Sequence, residues 1–328
     1  MPHPLPFDEV VRAIRASRSV FLTVHQRPDG DALGSQIAIA IACTRLGLKV
    51  TMANEDPVPA RYRFLPWSRR IRTGAAELPR RFDLAFTLEC ATPERAGVCG
   101  AVARRAKVLV NMDHHLGNRG YGDINLVDAT MPAEILLAET LRIRLGVPLT
   151  RDIATAFYVG LYTETGGFRY NNTTAEVLNL ASRLVEAGVN PREVGEAVYE
   201  CFPVRRLRLL GRSLGTLAVA DGVAWMSLAR KDFTDFGATE VDAEDFVEYP
   251  RAIGGVCVAV FLRETPQGDV RASLRAKMSL PLHRIAQRFG GGGHAYAAGC
   301  TLEHMTIAEA RRKLAPALRA AMRRQKAR

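Results

Sequence analysis

At 328 residues the chain exceeds an ordinary single domain, so two domains are expected, and its 48% apolar and 24% charged content is that of a globular protein rather than a disordered one. Its six cysteines (Cys43, Cys90, Cys99, Cys201, Cys257, Cys300) show no C-x-x-C spacing, which argues against a structural zinc site and a disulfide framework. A net charge of +11 favours anionic partners, no apolar run nears the roughly 18 residues of a membrane helix, and MPHPLPFDEV lacks a secretory signal, so the expectation is a cytoplasmic protein beginning near Met1 with no membrane partner.

SVFLTV (19–24) is a β-branched, apolar run that ends at the polar HQRPDGD (25–31). ALGSQIAIAIACTRLG follows with helical periodicity and closes on Gly47, giving strand, functional loop and helix. KVTMA (49–53), DLAFTLEC (83–90) and KVLVNM (107–112) repeat the short hydrophobic strand. This alternation predicts an α/β fold with a doubly wound parallel sheet, whose ligands bind beyond the carboxyl ends of the strands. Three of those ends carry His25, Asp29 and Asp31, then Glu89, then Asp113, His114 and His115, so distant stretches should converge on one crevice.

Helices then dominate: AEILLAETLRIRLG, RDIATAFYVGLYTET, and TTAEVLNLASRLVEAG, which Thr173 or Thr174 can cap with Glu176 close behind. NPREVGEAVYE, with Pro191 suited to a first turn, leads into the basic RRLRLLGR (205–212). The expected organisation is a catalytic domain over 1–190, a helical linker over 191–212 and a smaller α/β domain over 213–328. Within the last, LAVADGVAWMSLA reads as a hairpin around Asp221-Gly222, and GVCVAVFLRE and VRASLRAKM as strands. IAEARRKLAPALRAAMRRQKAR reads as a basic amphipathic helix with a solvated face.

HQRPDGD places one imidazole and two carboxylates at a strand end, where an irregular loop can turn all three toward one point. That donor set suits manganese, with magnesium as a harder, oxygen-preferring alternative and cobalt also compatible. The plain structural alternative is an Asp-Gly turn with a capping Asp. In DHH, one histidine can ligate metal while its neighbour, facing another way, binds an anion or donates a proton. GGGGH (290–294) lets the backbone N–H groups of Gly291, Gly292 and Gly293 approach an anion, and His294 and Arg275 can add charge-assisted hydrogen bonds to a phosphate. Arg169 and Cys90 rank lower, the first equally suited to a helix entry and the second to packing.

H-x-x-x-D-x-D, a strand-end acidic residue, DHH, a further acidic residue in GLYTETGGFRYNNTT and a distant GGGGH together resemble the DHH phosphoesterase superfamily over nearly the whole chain. FGGGGHAYAAGC and the two-domain length resemble its small bacterial branch, which degrades oligoribonucleotides and dephosphorylates adenosine 3′,5′-bisphosphate. The resemblance implies a DHH domain, a smaller DHHA1 domain and an active-site cleft between them. It also implies two manganese ions: His25 and Asp29 on one, Asp31, His114 and Glu164 on the other, and Glu89 bridging. His115 would face the phosphate, and Asp113 would orient the histidine pair. Two metals about 3.5–4 Å apart activate a water and neutralise phosphoryl oxygens, so no side-chain nucleophile is required. The implied substrates are short RNA oligonucleotides or nucleotides, and a homodimer is compatible with the family.

Two departures stand out. Relatives usually carry aspartate at the bridging position and in T-D-T, whereas this chain has LEC with Glu89 and TET with Glu164, each one methylene longer. The expectation is a more weakly held second metal. Relatives also commonly have lysine and asparagine where Ala295 and Tyr296 stand here, and Tyr296 offers a surface on which a base can stack. Other readings remain open: a linear or cyclic dinucleotide phosphodiesterase, a pyrophosphatase or polyphosphatase, and a nucleotide- or RNA-binding regulator in which Glu89 and Glu164 have impaired catalysis.

Overall fold

The computed structural model describes residues 5–278, 280–293 and 296–326. It separates into two compact units, Met1–Cys201 and Phe202–Arg328.

The first unit runs α1 (Phe7–Ala16), β1 (Ser19–Val24), α2 (Gly30–Arg45), β2 (Lys49–Asn54), β3 (Ile71–Thr73), β4 (Leu84–Leu88), α3 (Gly97–Ala103), β5 (Val108–Asp113) and β6 (Ile124–Val127). Four helices follow: α4 (Glu134–Leu145), α5 (Arg151–Glu164), α6 (Ala175–Glu186) and α7 (Pro191–Tyr199). The sheet order is β3-β2-β1-β4-β5-β6, and every pairing is parallel. The chain leaves β1 in one direction and returns to its other side at β4, so the switch point lies between those two strands, where doubly wound sheets form their crevice.

Both faces of this sheet are covered, which explains the near-continuous apolar strands. In β1, Val20, Leu22 and Val24 join the core beneath α2, α4 and α5, while Phe21 points to the opposite face with Phe82, Cys99 and Val102. Helix α2 is buried from Gly30 to Cys43. The sequence places its start at Ala32, but the structure starts it at Gly30: the Asp29 carboxylate accepts the Ala32 N–H at 3.0 Å, so Asp29 is the N-cap and Asp31 sits in the first turn. Helices α2 and α5 approach closely through Gly34 and Gly160. A Cβ on Gly34 would strike the Ala156 carbonyl, and one on Gly160 would lie 3.2 Å from the Cα of Asp31. One turn beyond Gly160 on the same face is Glu164, which this crossing carries to Asp31.

The second unit comprises α8 (Val204–Leu214), β7 (Ala218–Ala220), β8 (Val223–Leu228), α9 (Arg230–Asp235), α10 (Glu248–Arg251), β9 (Val258–Glu264) and β10 (Val270–Ala276). It ends with α11 (Leu282–Gln287), β11 (Gly292–Gly293), β12 (Ala297–Leu302) and α12 (Ile307–Lys326). Its sheet runs β11-β12-β10-β9-β8-β7, antiparallel except between β8 and β9. Asp221 and Gly222, at φ 53° and 75°, turn the β7–β8 hairpin with both central residues in the left-handed region. Leu282, Ile285, Leu314 and Leu318 from α11 and α12 cover one face, and Leu209, Phe233 and Phe246 cover the other.

Candidate functional site

The carboxyl ends of β1, β4 and β5 deliver the histidines and acids of the first unit to one place. His25 directly follows β1 and is buried; its Nδ1 lies 2.8 Å from the Gln26 carbonyl. A carbonyl can only accept, so the proton resides on Nδ1 and Nε2 is left as a ligand atom, 3.5 Å from Asp29 Oδ2. His114 repeats the arrangement: Nδ1 donates to the Met131 carbonyl at 3.1 Å, and Nε2 lies 3.2 Å from Glu89 Oε1 and 3.9 Å from Asp31 Oδ2. Histidines held by Nδ1 to a carbonyl with Nε2 turned toward carboxylates have the orientation that metal-ligating imidazoles adopt.

Asp31 is fully buried and holds both the site and a helix. Its Oδ2 accepts the Glu134 N–H at 2.8 Å and its Oδ1 the Ile135 N–H at 3.1 Å, so it caps α4, whose own preceding residue, Ala133, offers no side-chain cap. Glu89 follows β4 with φ 58°, a left-handed conformation rare for a side chain of this size. Its amide donates to Glu134 Oε2 at 2.6 Å. Its own Oε1 is buried and has no hydrogen bond among the described residues, and the same holds for Glu134 Oε1.

Asp113 serves differently. Oδ1 accepts from the backbone N–H groups of His114 and His115 at 2.9 and 3.2 Å and from His115 Nδ1 at 2.7 Å, and Oδ2 accepts from Asn118 at 2.7 Å. Its acceptors are spent on orienting the two histidines, although its carboxyl stands with Glu89 and Glu134 in a cluster whose ligand atoms lie within 4.8 Å of one another. Glu89, His114 and His115 form a second such cluster.

Crowding of charge shows in the titration of these groups. Burial, then the Glu89 charge, pushes the Asp31 carboxyl up to about 8. Glu134 and Glu164 are also raised, first by burial and then by the neighbouring acids, though His114 acts against the rise at Glu164. Burial draws His114 down, but Glu89, Glu164 and Asp31 outweigh it and hold the ring well above its ordinary value. Four acids and two imidazoles therefore create a demand for positive charge, which protons or divalent cations can meet. The orphaned Glu89 oxygen and the two Nε2 atoms fit a metal ion on these grounds.

Among the sequence-predicted residues of the first unit, Asp31, Glu89, Asp113, His114 and His115 meet by direct contacts and His25 contacts Asp29, while charge ties Asp29 to Asp31 and His115, and Glu164 to His114, Asp31 and Asp29. Glu134 and Asn118 were not anticipated. A glutamate in the first turn of a helix ordinarily reads as a partner of the helix dipole, and only the fold shows it turned inward. Asn118, five residues after Asp113 in DHHLGN, was the more legible of the two.

The glycine run belongs to the second unit. Gly291 donates its N–H to the Ala286 carbonyl at 3.0 Å, and Gly292 and Gly293 pair with Gly299 and Ala298 as β11. A Cβ on Gly291 or Gly293 would collide with the backbone of β12, while one on Gly292 would meet nothing. Close strand approach therefore accounts for two of the glycines. Arg275, half-buried on β10, gives its Nε to Glu248 Oε1 at 2.9 Å and Nη1 to the Leu274 carbonyl. His294 lies outside the described residues.

The model of the DHH family N-terminal domain matches residues 19–161, and that of the DHHA1 domain matches 222–324. The chain is also 34% identical over 311 residues to the bifunctional oligoribonuclease and PAP phosphatase NrnA of Thermus thermophilus, covering 95% of this chain and 92% of the relative. The chain belongs to the DHH family. It is a DHH phosphoesterase with a DHHA1 domain, and the family's chemistry is metal-dependent. The Bacillus subtilis protein of the same description is 26% identical over 90% of this chain and 92% of its own length. Among solved structures, an exopolyphosphatase-related protein from Bacteroides fragilis shares 26% identity with a TM-score of 0.89, covering 95% of both chains. In this DHH protein the parallel sheet of the first unit and the second sheet of the DHHA1 domain bear out the α/β class read from the sequence.

Proposed function

We propose that this DHH phosphoesterase hydrolyses very short RNA to mononucleotides and removes the 3′-phosphate of adenosine 3′,5′-bisphosphate, acting in the cytoplasm. What supports the substrate class is the end-to-end similarity, through both domains, to a relative described as an oligoribonuclease and PAP phosphatase. What supports the reaction type is that two Nδ1-anchored histidines turn Nε2 toward carboxylate oxygens, His25 toward Asp29 and His114 toward the buried Glu89.

His25 and Asp29 would hold one divalent ion, Asp31, His114 and Glu164 a second, and Glu89 would reach both; manganese suits this mixed donor set best, with magnesium or cobalt as substitutes. Such ions lower the pKa of a water and neutralise phosphoryl oxygens. His115 is held by Asp113 through Nδ1, which fixes the ring so that Nε2 would bind the scissile phosphate or protonate the leaving oxygen. Burial draws the His115 ring down, but the Asp113 hydrogen bond and the Glu89 and Asp113 charges outweigh it and hold its pKa above the ordinary imidazole value. We assign catalysis to residues 1–190 and substrate holding to 213–328, with 191–212 as the linker. Gly291, Gly292, Gly293, His294 and Arg275 would hold the non-reacting part of the substrate, Arg275 exchanging Glu248 for a phosphate.

The experiment is incubation with manganese and, side by side, a labelled dinucleotide, a pentanucleotide, adenosine 3′,5′-bisphosphate and pyrophosphate. Mononucleotide release abolished by a chelator is expected. Phosphate from pyrophosphate alone would reassign the substrate, and RNA binding without any hydrolysis would make the protein a regulator. Because Glu89 and Glu164 are longer than aspartate, the second ion should be held more weakly than the first. Manganese titration of a Glu89→Asp, Glu164→Asp variant should narrow that gap, and identical titrations would remove the idea.

A further inference from the structure

Six arginines of the second unit face a carboxylate: Arg205 on Asp242, Arg212 on Asp232, Arg251 and Arg275 on Glu248, Arg263 on Glu240 and Arg319 on Asp221. The space between helices α11 and α12 differs. A groove of about 600 Å³ runs between them, lined by Arg284 and Arg288 from the α11 segment and Arg324 from α12, over a floor that includes Ala317 and Ala321. All three arginines are exposed, and none has an ion pair among the described residues. In the same groove His283 keeps a buried Nδ1 without a hydrogen-bond partner. Along α12 the sequence sets seven basic residues against one acidic one, Glu309.

Like charges gathered on one concave wall call for an anion, and guanidinium forks match phosphate oxygens in particular. Alanines leave the floor flat and apolar, which suits the sugar and base between successive phosphates, and a guanidinium plane can itself stack on a base. The volume fits a nucleotide-sized segment. Arg284 and Arg288 lie one turn apart, and Phe289 alone separates Arg288 from Gly290 at the start of the glycine run, while α11 itself packs on β11 and β12. The groove is therefore continuous along the chain with the loop assigned above to the non-reacting part of the substrate.

We propose that the α11–α12 groove is a second RNA subsite, which seats the phosphodiester backbone of the strand beyond the nucleotide held at the glycine loop. It rests on the short-RNA reading and extends it: RNA of several nucleotides is bound by the DHHA1 domain over a longer path than the reacting end requires.

The test uses the full chain and an R284A/R288A/R324A variant, with fluorescence polarisation of labelled oligoadenylates of two, five and eight nucleotides and of adenosine 3′,5′-bisphosphate, in chelator to prevent cleavage and across a range of salt. The native chain should bind the eight-nucleotide strand more tightly than the dinucleotide and with a steeper salt dependence. In the variant the log–log salt slope for the long strand should fall by about 2, at roughly 0.7 per lost phosphate contact, with on the order of tenfold weaker binding. Dinucleotide and bisphosphate binding should not change, and thermal unfolding should match the native chain because the three side chains are exposed. Equal affinity of the native chain for all lengths, or equal behaviour of variant and native chain, would overturn the proposal. So would loss of binding to phosphatidylglycerol vesicles with RNA binding intact, which would make the groove a lipid contact. Should manganese-loaded protein release no mononucleotide while the length-dependent binding persists and is lost in the variant, the hydrolytic reading fails and the groove stands.

Discussion

The two motif regions of this protein are built on opposite principles. In the first unit the histidines and the buried aspartate of the HQRPDGD and DHH segments are pinned by specific partners: His25 by the Gln26 carbonyl, His114 by Met131, His115 by Asp113, and Asp31 by two amides of α4. In the second unit Gly291 and Gly293 are fixed by close packing of β11 on β12 and by the end of α11, while a Cβ on Gly290 or Gly292 would meet nothing. A motif can thus be chemistry in one place and largely steric fit in another, although both read as functional loops.

The strongest way to break this contrast is Asp31→Ala. It removes an expected ligand and a helix cap together, so hydrolysis should fall by more than about 100-fold and unfolding stability by about 1 kcal/mol. Near-native turnover in a mononucleotide-release assay would show that the buried acid is merely structural. Next in size is Glu134→Ala, which frees the amide of Glu89 at its left-handed backbone. Because Glu89 is assigned to both ions, calorimetric manganese titration should show both weakened, by about 10–100-fold, with Glu134→Gln retaining both because its amide oxygen accepts the same N–H. A smaller effect is expected from Asp113→Asn. It should lower kcat by about tenfold or more while sparing KM. Removing the Asp113 charge lowers the His115 pKa, so the protonated ring is lost at lower pH and the alkaline limb of the kcat profile should move down; an unmoved limb would separate His115 from proton transfer.

The glycine run supplies the smallest and sharpest comparison. Gly291→Ala collides with β12 and should cost about 1–3 kcal/mol of stability. Gly292→Ala should stay within about 0.5 kcal/mol, since its Cβ meets nothing. If Gly292→Ala nonetheless raises KM for RNA at unchanged melting temperature, the loop contacts substrate; if neither variant changes KM, its role is packing alone.

Much of this was legible in the sequence because strand ends announce themselves. SVFLTV, DLAFTLEC and KVLVNM each stop where a polar residue begins, and those residues form the centre. The Asp221-Gly222 hairpin was equally plain, since both residues tolerate the left-handed turn. By contrast β3 and β6 have three and four residues and only one buried side chain between them, Leu126, too little pattern to detect. The start of α2 was misplaced because Gly-Asp looks like loop, and only the Asp29 cap reveals that the helix has begun. Glu134 was missed because its partners come from 103 and 45 residues away, Asp31 and the amide of Glu89. Local periodicity carries no trace of such pairings.

Asp31 makes the fold and the active centre share one bond set. A carboxylate committed to two amides of α4 cannot turn away to relieve repulsion from Glu89 and Glu164, so its ordering entropy is settled during folding. If Asp31 is the ligand proposed above, exchange of one divalent ion for another would change the occupant and leave the frame in place.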